Sequence, residues 1–553
     1  MNFKYWFILL LSLFMVACQN EESQSPAPKP QATGSHAHEQ PQKLPNNLRI
    51  PLSGLDTIDP GLTFDTASIE LTEQLFVGLT SFDHTDYKVI PELATSYTTA
   101  EDGTVYRFTM RQDAKWTDGE PITAHDVVWA IKRNLAPELK SPYAYTLYAL
   151  KNAEAINAGE KPAEELGVKA LDDYTVEFTL TNPMAYFPSL VGIWTYRPLP
   201  RKVIEQYGED WTQPEHIQTS GSYRLTKWEK NRVLVLSKNP NYYGADTVHI
   251  PEVYYYFVPE SSLGLAMYEG DELDVLGQQF LQIPLSDILR IKNDPKLRRE
   301  SHIEPQFCTE SYIFSLHDAP TDNVLVRKAI AAAIDKQLIV DFVLKGHQPA
   351  YTFTRPPIFG SIDPNENMGI HFNPKQAKLW LAEAGYPEAK GFPKLVLMHN
   401  ISEVHGEIAK AIKVILKHYL NIEVEIRELD FDPYMEAIKK PQKPNLYRYG
   451  WCADYPDAHN WLYDVFHPKN SEALVGWKNT EFQEAIEKAA TILDQDERKR
   501  LYHRAEQLLV QEDVVIIPMY FNTAHYLVKP RVKNWYNMAM GGQQIRNWSL
   551  EKQ

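Results

Sequence analysis

Eight consecutive residues, Arg448-Tyr449-Gly450-Trp451-Cys452-Ala453-Asp454-Tyr455, bring together a guanidinium, a carboxylate, a thiol and three aromatic rings. Arg448 can grip a carboxylate through two parallel hydrogen bonds, and Asp454 can accept from an ammonium. Trp451 and Tyr455 can wall a slot around an apolar or planar group. The chemistry matches the two charged ends of a peptide, and the stretch reads as the centre of a clamp for one. The same residues also suit a packed strand closed by a turn aspartate, so the rest of the chain must decide.

Catalytic signatures are absent: there is no His-Glu-x-x-His, Gly-x-Ser-x-Gly, Walker loop or Cys-x-x-Cys in the sequence. This shifts the reading from an enzyme to a binding protein without cofactor or metal. The His36-Ala37-His38 pair could touch a metal weakly, but it lies in a polar linker. A formal net charge of −16, with no basic cluster, argues against a nucleic-acid partner. Generous aromatic content, 31 Tyr and 12 Trp, suits a recognition cleft and a large core equally.

The elements that must hold these residues follow from patterning. The length of 553 residues allows two to four domains. Lys4 and an apolar run over residues 5–17, broken only by Ser12, form a signal peptide too short to span a membrane. Met15-Val16-Ala17-Cys18 resembles a bacterial lipobox, with Met where Leu is usual, which makes Cys18 the expected lipidated residue; the alternative is an ordinary cleavable signal with an incidental cysteine. Gln19 after it points weakly to the outer membrane. Residues 18–46 are polar, Pro-rich and aperiodic, the composition of a flexible tether.

From Asn47 onward the chain reads as α/β. Residues 104–110 alternate as a strand, 115–121 form a turn, and Thr123 caps a helix. One helix is expected over 324–344, capped by Asp322 and Asn323, and another between Asn373-Pro374 and Gly385. Residues 394–398, a helix capped by Ser402, and the alternating Ile422, Val424 and Ile426 make a βαβ unit. His405 then lies at the carboxyl end of a strand, where open α/β sheets bind ligands. Two amphipathic helices follow residue 475, then an apolar strand over 514–520.

Several phrases along the body resemble one family. They are Trp116-Thr117-Asp118-Gly119-Glu120-Pro121-Ile122-Thr123-Ala124-His125-Asp126-Val127, Ser141-Pro142-Tyr143, residues 167–173, Trp211-Thr212-Gln213-Pro214 and Lys238-Asn239-Pro240-Asn241-Tyr242-Tyr243. They are similar to solute-binding protein family 5, the large extracytoplasmic peptide-binding proteins of ABC importers, and most similar to its Gram-negative oligopeptide-binding members. The resemblance implies a type II periplasmic-binding-protein-like, two-lobed Venus flytrap with an extra α/β subdomain. One lobe would comprise residues 47–77, 201–307 and 523–553, the extra subdomain 78–200, and the second lobe 308–522.

The same resemblance assigns roles. Asp454 matches the residue that takes the peptide ammonium. Arg448, His405 and Lys439 match positions receiving carboxylates of peptides of different length, with Lys439 standing where the relatives have Arg and losing bidentate geometry. Tyr143 and Trp451 match cleft-lining residues. In an exported chain Cys308 and Cys452 are expected to pair, and the family carries a disulfide at both matching positions. Asp432 stands where relatives have a cleft tryptophan, and Leu344, beside Lys345, where they have a lysine; Asp432 should widen one pocket and favour basic side chains. The implied function is delivery of oligopeptides to ABC permease subunits by a monomeric, periplasmic, membrane-anchored lipoprotein. Alternatives on the same scaffold are a dedicated binder of cell-wall peptide, antimicrobial peptide or haem, then a surface adhesin or chaperone, then an exported hydrolase.

Overall fold

The computed structural model describes residues 46–551 apart from 345, 441–442 and 470–474. The expected signal peptide, Cys18 and its lipobox, residues 18–45 of the tether, and Lys345 lie outside the described residues. The described residues form one compact unit.

Three main sheets organise it. In the first, Asn47–Leu52 pairs in parallel with Glu252–Phe257, which continues antiparallel to Val233–Lys238 and Tyr223–Glu229. The second is an antiparallel sheet in the order Ala94–Thr99, Val105–Met110, Thr175–Thr179, Val168–Asp172. Helix Ala124–Asn134 packs on it, and the Thr123 backbone N–H donates to the Asp126 carboxylate at 2.8 Å. That is the reciprocal half of a capping box.

The third sheet has seven strands and carries most of the expected site. Its order is Val275–Gly277, Ile516–Val528, Ser301–Phe314, Leu446–Cys452, Leu395–Asn400, Val424–Leu429, with Gln348–Pro349 beside Ile516–Val528. Its central strands are apolar on both faces because both are covered there. Ile313, Met398, Tyr447 and Ile516 face a core containing Trp461, Ile486 and Leu509. Their strand neighbours Phe314, Leu397, Leu446 and Ile517 face another, containing Ile330, Ile412 and Leu416.

The expected βαβ unit is present: Leu395–Asn400 leads through helix Glu403–Leu420 to Val424–Leu429, and the two strands pair in parallel. Asn421, at φ 57°, ends the helix in the left-handed conformation that Asn tolerates. The expected single helix over 324–344 is instead three pieces: Val324–Ala333, Lys336–Ile339 and a π-helical Val340–Leu344. Asp335 causes the break, since its carboxylate accepts from Leu338 N at 3.0 Å and starts a new helix.

Ser301–Phe314 and Ile516–Val528 are the longest strands, at 14 and 13 residues. They pair antiparallel with a register shift between Pro305 and Thr309, opposite Thr523 and Phe521. The segment boundaries expected at 307/308 and 522/523 fall at that irregularity. Cys308 and Cys452 stand directly opposite each other in the neighbouring ladder and form a disulfide.

Candidate functional site

Strand Leu446–Cys452 lies between Ser301–Phe314 and Leu395–Asn400, but the two sides are not equally covered. The first pairs with it from Phe314–Leu446 through to Cys308–Cys452, whereas the second pairs only at Leu446 and Tyr447. From Arg448 to Cys452 the outer edge has no strand partner among the described residues. The Tyr434 hydroxyl donates to the Arg448 carbonyl there. Backbone donors and acceptors on an uncovered edge are a template for an added strand.

Asp454 sits just past the end of this edge and is half-buried. Its carboxylate accepts from the Tyr145 hydroxyl at 3.2 Å and from Asn460 Nδ2 at 3.3 Å. These partners are neutral. Asn460, fully buried near the start of helix His459–Phe466, is the organiser: its Oδ1 accepts from Asp454 N at 3.0 Å and Trp451 Nε1 at 3.2 Å. Its Nδ2 also donates to Asp464 at 3.0 Å. One amide therefore fixes both the indole and the carboxylate. Burial holds the Asp454 carboxyl above the usual aspartate range, with the hydrogen bonds opposing it.

Tyr143 and Tyr145 bring the antiparallel-sheet segment to Asp454. Their rings are 5.4 Å apart, and Tyr143 meets Trp194 edge-on at 5.0 Å. Burial, then the nearby Asp454 charge, pushes both phenols up, so they remain donors. A narrow cavity of about 60 Å³ opens beside Asp454, lined also by Phe82, Trp194, Ala453, Met540 and Gln544 and by Arg197 and Glu73, which pair with each other. Among the described residues the Asp454 carboxylate is hydrogen-bonded by neutral donors while the Arg197 charge is taken by Glu73, so Asp454 has the chemistry to receive a cation.

The other expected residues are distributed differently. Arg448 is held by Glu310 of the adjacent strand: Arg448 Nε donates to Oε2 at 2.7 Å and Nη2 to Oε1. His405, in the first turn of its helix, is pushed down to about 4 by burial and by nearby Arg448, so it is neutral at pH 7. Lys439 and Asp432 are exposed on helix Phe431–Lys439, and Lys439 pairs with Glu436 at 3.3 Å. Cys452 is consumed by the disulfide and is fastening, not contact chemistry.

Tyr455 corrects the expected slot. It is 5% exposed, stacks on Tyr186 at 5.4 Å, and its hydroxyl donates to Asp464 at 2.7 Å. Its place is the core, because the chain turns inward after Asp454 into a buried network with His459. Tyr145, Asn460 and Glu310 were missed by sequence reasoning. The Tyr143-Ala144-Tyr145 spacing was a usable signal for the first; the other two act through pairing that only the fold creates.

Among the described residues there is no His/Cys/Asp/Glu group able to hold a metal, and no helix is long and apolar enough to cross a membrane.

Residues 88–473 match the model of the bacterial extracellular solute-binding proteins, family 5. The chain is 31% identical over 499 residues to the oligopeptide-binding protein OppA of Bacillus subtilis, covering 89% of this chain and 90% of that one. It is 32% identical over 486 residues to the periplasmic oligopeptide-binding protein OppA of Salmonella typhimurium, covering 87% and 88%. Among solved structures it is similar to the periplasmic murein tripeptide binding protein MppA in an unliganded open form, with a TM-score of 0.81, 26% identity and coverage of 91% and 97%. It is also similar to Haemophilus influenzae OppA in complex with RPPGFSPFR, with a TM-score of 0.69, 29% identity and coverage of 91% and 99%.

Proposed function

This chain belongs to the bacterial extracellular solute-binding proteins of family 5, with that family's two-lobed α/β fold, and from that premise we propose that it binds oligopeptides and hands them to an ABC importer. The observation carrying the proposal is Asp454, a half-buried carboxylate met by Tyr145 and Asn460 at the end of an uncovered strand edge. A peptide laid along Arg448–Cys452 gains main-chain hydrogen bonds that do not depend on its sequence, while its ammonium reaches Asp454. Trp451, locked by Asn460, and Tyr143 supply aromatic walls.

The reading divides the body as the resemblance implies: residues 47–77, 201–307 and 523–553 as one lobe, 78–200 as the extra subdomain, and 308–522 as the second lobe. Ser301–Phe314 and Ile516–Val528 then serve as the hinge, bending at their register shift. Overlay is better on an unliganded open relative than on a complexed one, 0.81 against 0.69, which supports assigning this conformation to the open state. Asp454 already meets Tyr145 in this conformation, and closure is favoured because a peptide on the Arg448–Cys452 edge is enclosed only when both lobes contact it. Cys18 is the proposed lipid anchor on the extracytoplasmic side, and the protein acts as a monomer without catalysis.

Isothermal titration of the purified protein with short peptides of unrelated sequence, followed by mass spectrometry of the recovered ligand, tests this reading. Saturable binding of several peptides, returned uncleaved, is the expected result. Binding of haem or of a single cell-wall peptide in their place overturns it, as does hydrolysis.

A further inference from the structure

We propose that Glu310 is a built-in counter-ion that takes Arg448 out of carboxylate recognition, so that the cleft selects against peptides whose C-terminal carboxylate falls at Arg448. Glu310 thereby becomes a specificity-determining residue. The inference rests on the peptide-binding reading above.

The pair is fork to fork, with both Glu310 oxygens engaged by Arg448 Nε and Nη2, and the two side chains are 18% and 11% exposed. Charges this far from solvent interact strongly, and a planar guanidinium meeting a planar carboxylate uses its best geometry. The strand register makes room for it. Glu310 stands opposite Gly450, and a Cβ there would lie 2.5 Å from both Arg448 Nη2 and Glu310 Oε1. Glycine leaves the surface over which the two side chains meet clear.

Among the described residues no neighbouring charge unsettles this neutral pair. Tyr312, Tyr434, Tyr449 and Tyr520 are phenols around it, all pushed upward by burial and therefore uncharged at pH 7. His405 is neutral by the same cause, with the Arg448 charge adding to it. A ligand carboxylate arriving at Arg448 would put two negative groups on one guanidinium, or evict Glu310 into a buried position without a partner. Either arrangement is unfavourable. A neutral amide, a peptide bond of a longer ligand, or a basic side chain meets no such penalty. Lys439, already next to Glu436 but on an exposed helix, is free of this restriction.

The test is a length series of alanine peptides, dipeptide to hexapeptide, each as free acid and C-terminal amide. Affinities are measured by titration calorimetry on the wild type, Glu310→Gln, Glu310→Asp and Arg448→Gln. The wild type is expected to bind the amide more tightly than the acid at the length reaching Arg448, and to show no such difference at other lengths. Glu310→Gln should raise acid preference at that length alone by about tenfold or more, the yield of one charge-assisted contact. Glu310→Asp, which keeps the charge and protects the fold, should give a smaller shift. An acid preference in the wild type that Arg448→Gln abolishes overturns the proposal, and so do ratios unchanged by Glu310→Gln at every length. Flat ratios with peptides still bound defeat this inference alone, whereas no peptide binding to any variant defeats the peptide reading as well.

Discussion

Asp454→Asn removes one charge from the cavity and leaves the shape. In the unliganded protein the carboxylate meets Tyr145 at 3.2 Å, Asn460 at 3.3 Å and the Tyr143 phenol, all neutral, so among the described residues its ionised form lacks a cationic partner until an ammonium arrives. A hydrogen bond to a charged group contributes about 1.5–3 kcal/mol net, which corresponds to roughly 10- to 150-fold in Kd. Asp454→Asn should weaken a free-amine peptide by that factor. N-acetylation of the peptide should weaken wild-type binding comparably and add little to the variant, because both changes remove one interaction.

The pH dependence gives a second readout. Burial holds the unliganded Asp454 carboxyl above its ordinary range, and an ammonium favours the ionised form. Affinity should therefore fall as pH drops through that raised value, with protons released on binding between the lower bound value and the raised unliganded one. In Asp454→Asn this acid limb should vanish. Calorimetry in buffers of differing ionisation heat measures both quantities. Equal cost of acetylation in wild type and variant, or affinity within twofold after the substitution, would refute the reasoning.

Two further outcomes follow from the same region. Replacing both Cys308 and Cys452 by Ala opens a crosslink spanning 144 residues, and chain entropy sets an upper loss of about 5 kcal/mol; urea unfolding should show a lower midpoint than the oxidised wild type, and an unchanged midpoint contradicts it. Asp464, raised by burial to about 6 from an ordinary 3.8, holds its proton more tightly folded than unfolded. Its contribution to stability is thus fully present below about pH 4 and lost as pH rises through about 6, and Asp464→Asn should flatten denaturation midpoints across that window.

Local patterning carried the regular elements well. The helix that starts after Ser402, its Ile408, Ile412 and Ile415 stripe and the flanking strands could be read because the periodicity is clean; Ser402 stands at the N-cap position, though its side chain makes no capping hydrogen bond. The break at Asp335 was hidden because an apolar stripe continues through it, and only the competing cap at Leu338 N ends the helix. At the site, Asp454 and Trp451 were legible as chemistry, but Asn460, which holds both, reads simply as a residue in a helix start. Tyr455 misled because type and position alone do not say which way a chain turns after a strand. Arg448 was legible as a cation and silent about its partner, since Glu310 lies 138 residues away and becomes adjacent through strand register.

The central claim, that this cleft holds peptides by their ammonium end without reading their sequence, is tested most directly by native mass spectrometry of the protein as purified. The account predicts a set of adduct masses that resolve, after denaturation and sequencing, into short peptides of mixed sequence with free amino termini, and their loss in Asp454→Asn. A single adduct of one composition, or ligands lacking an amino group and retained by Asp454→Asn, would contradict it.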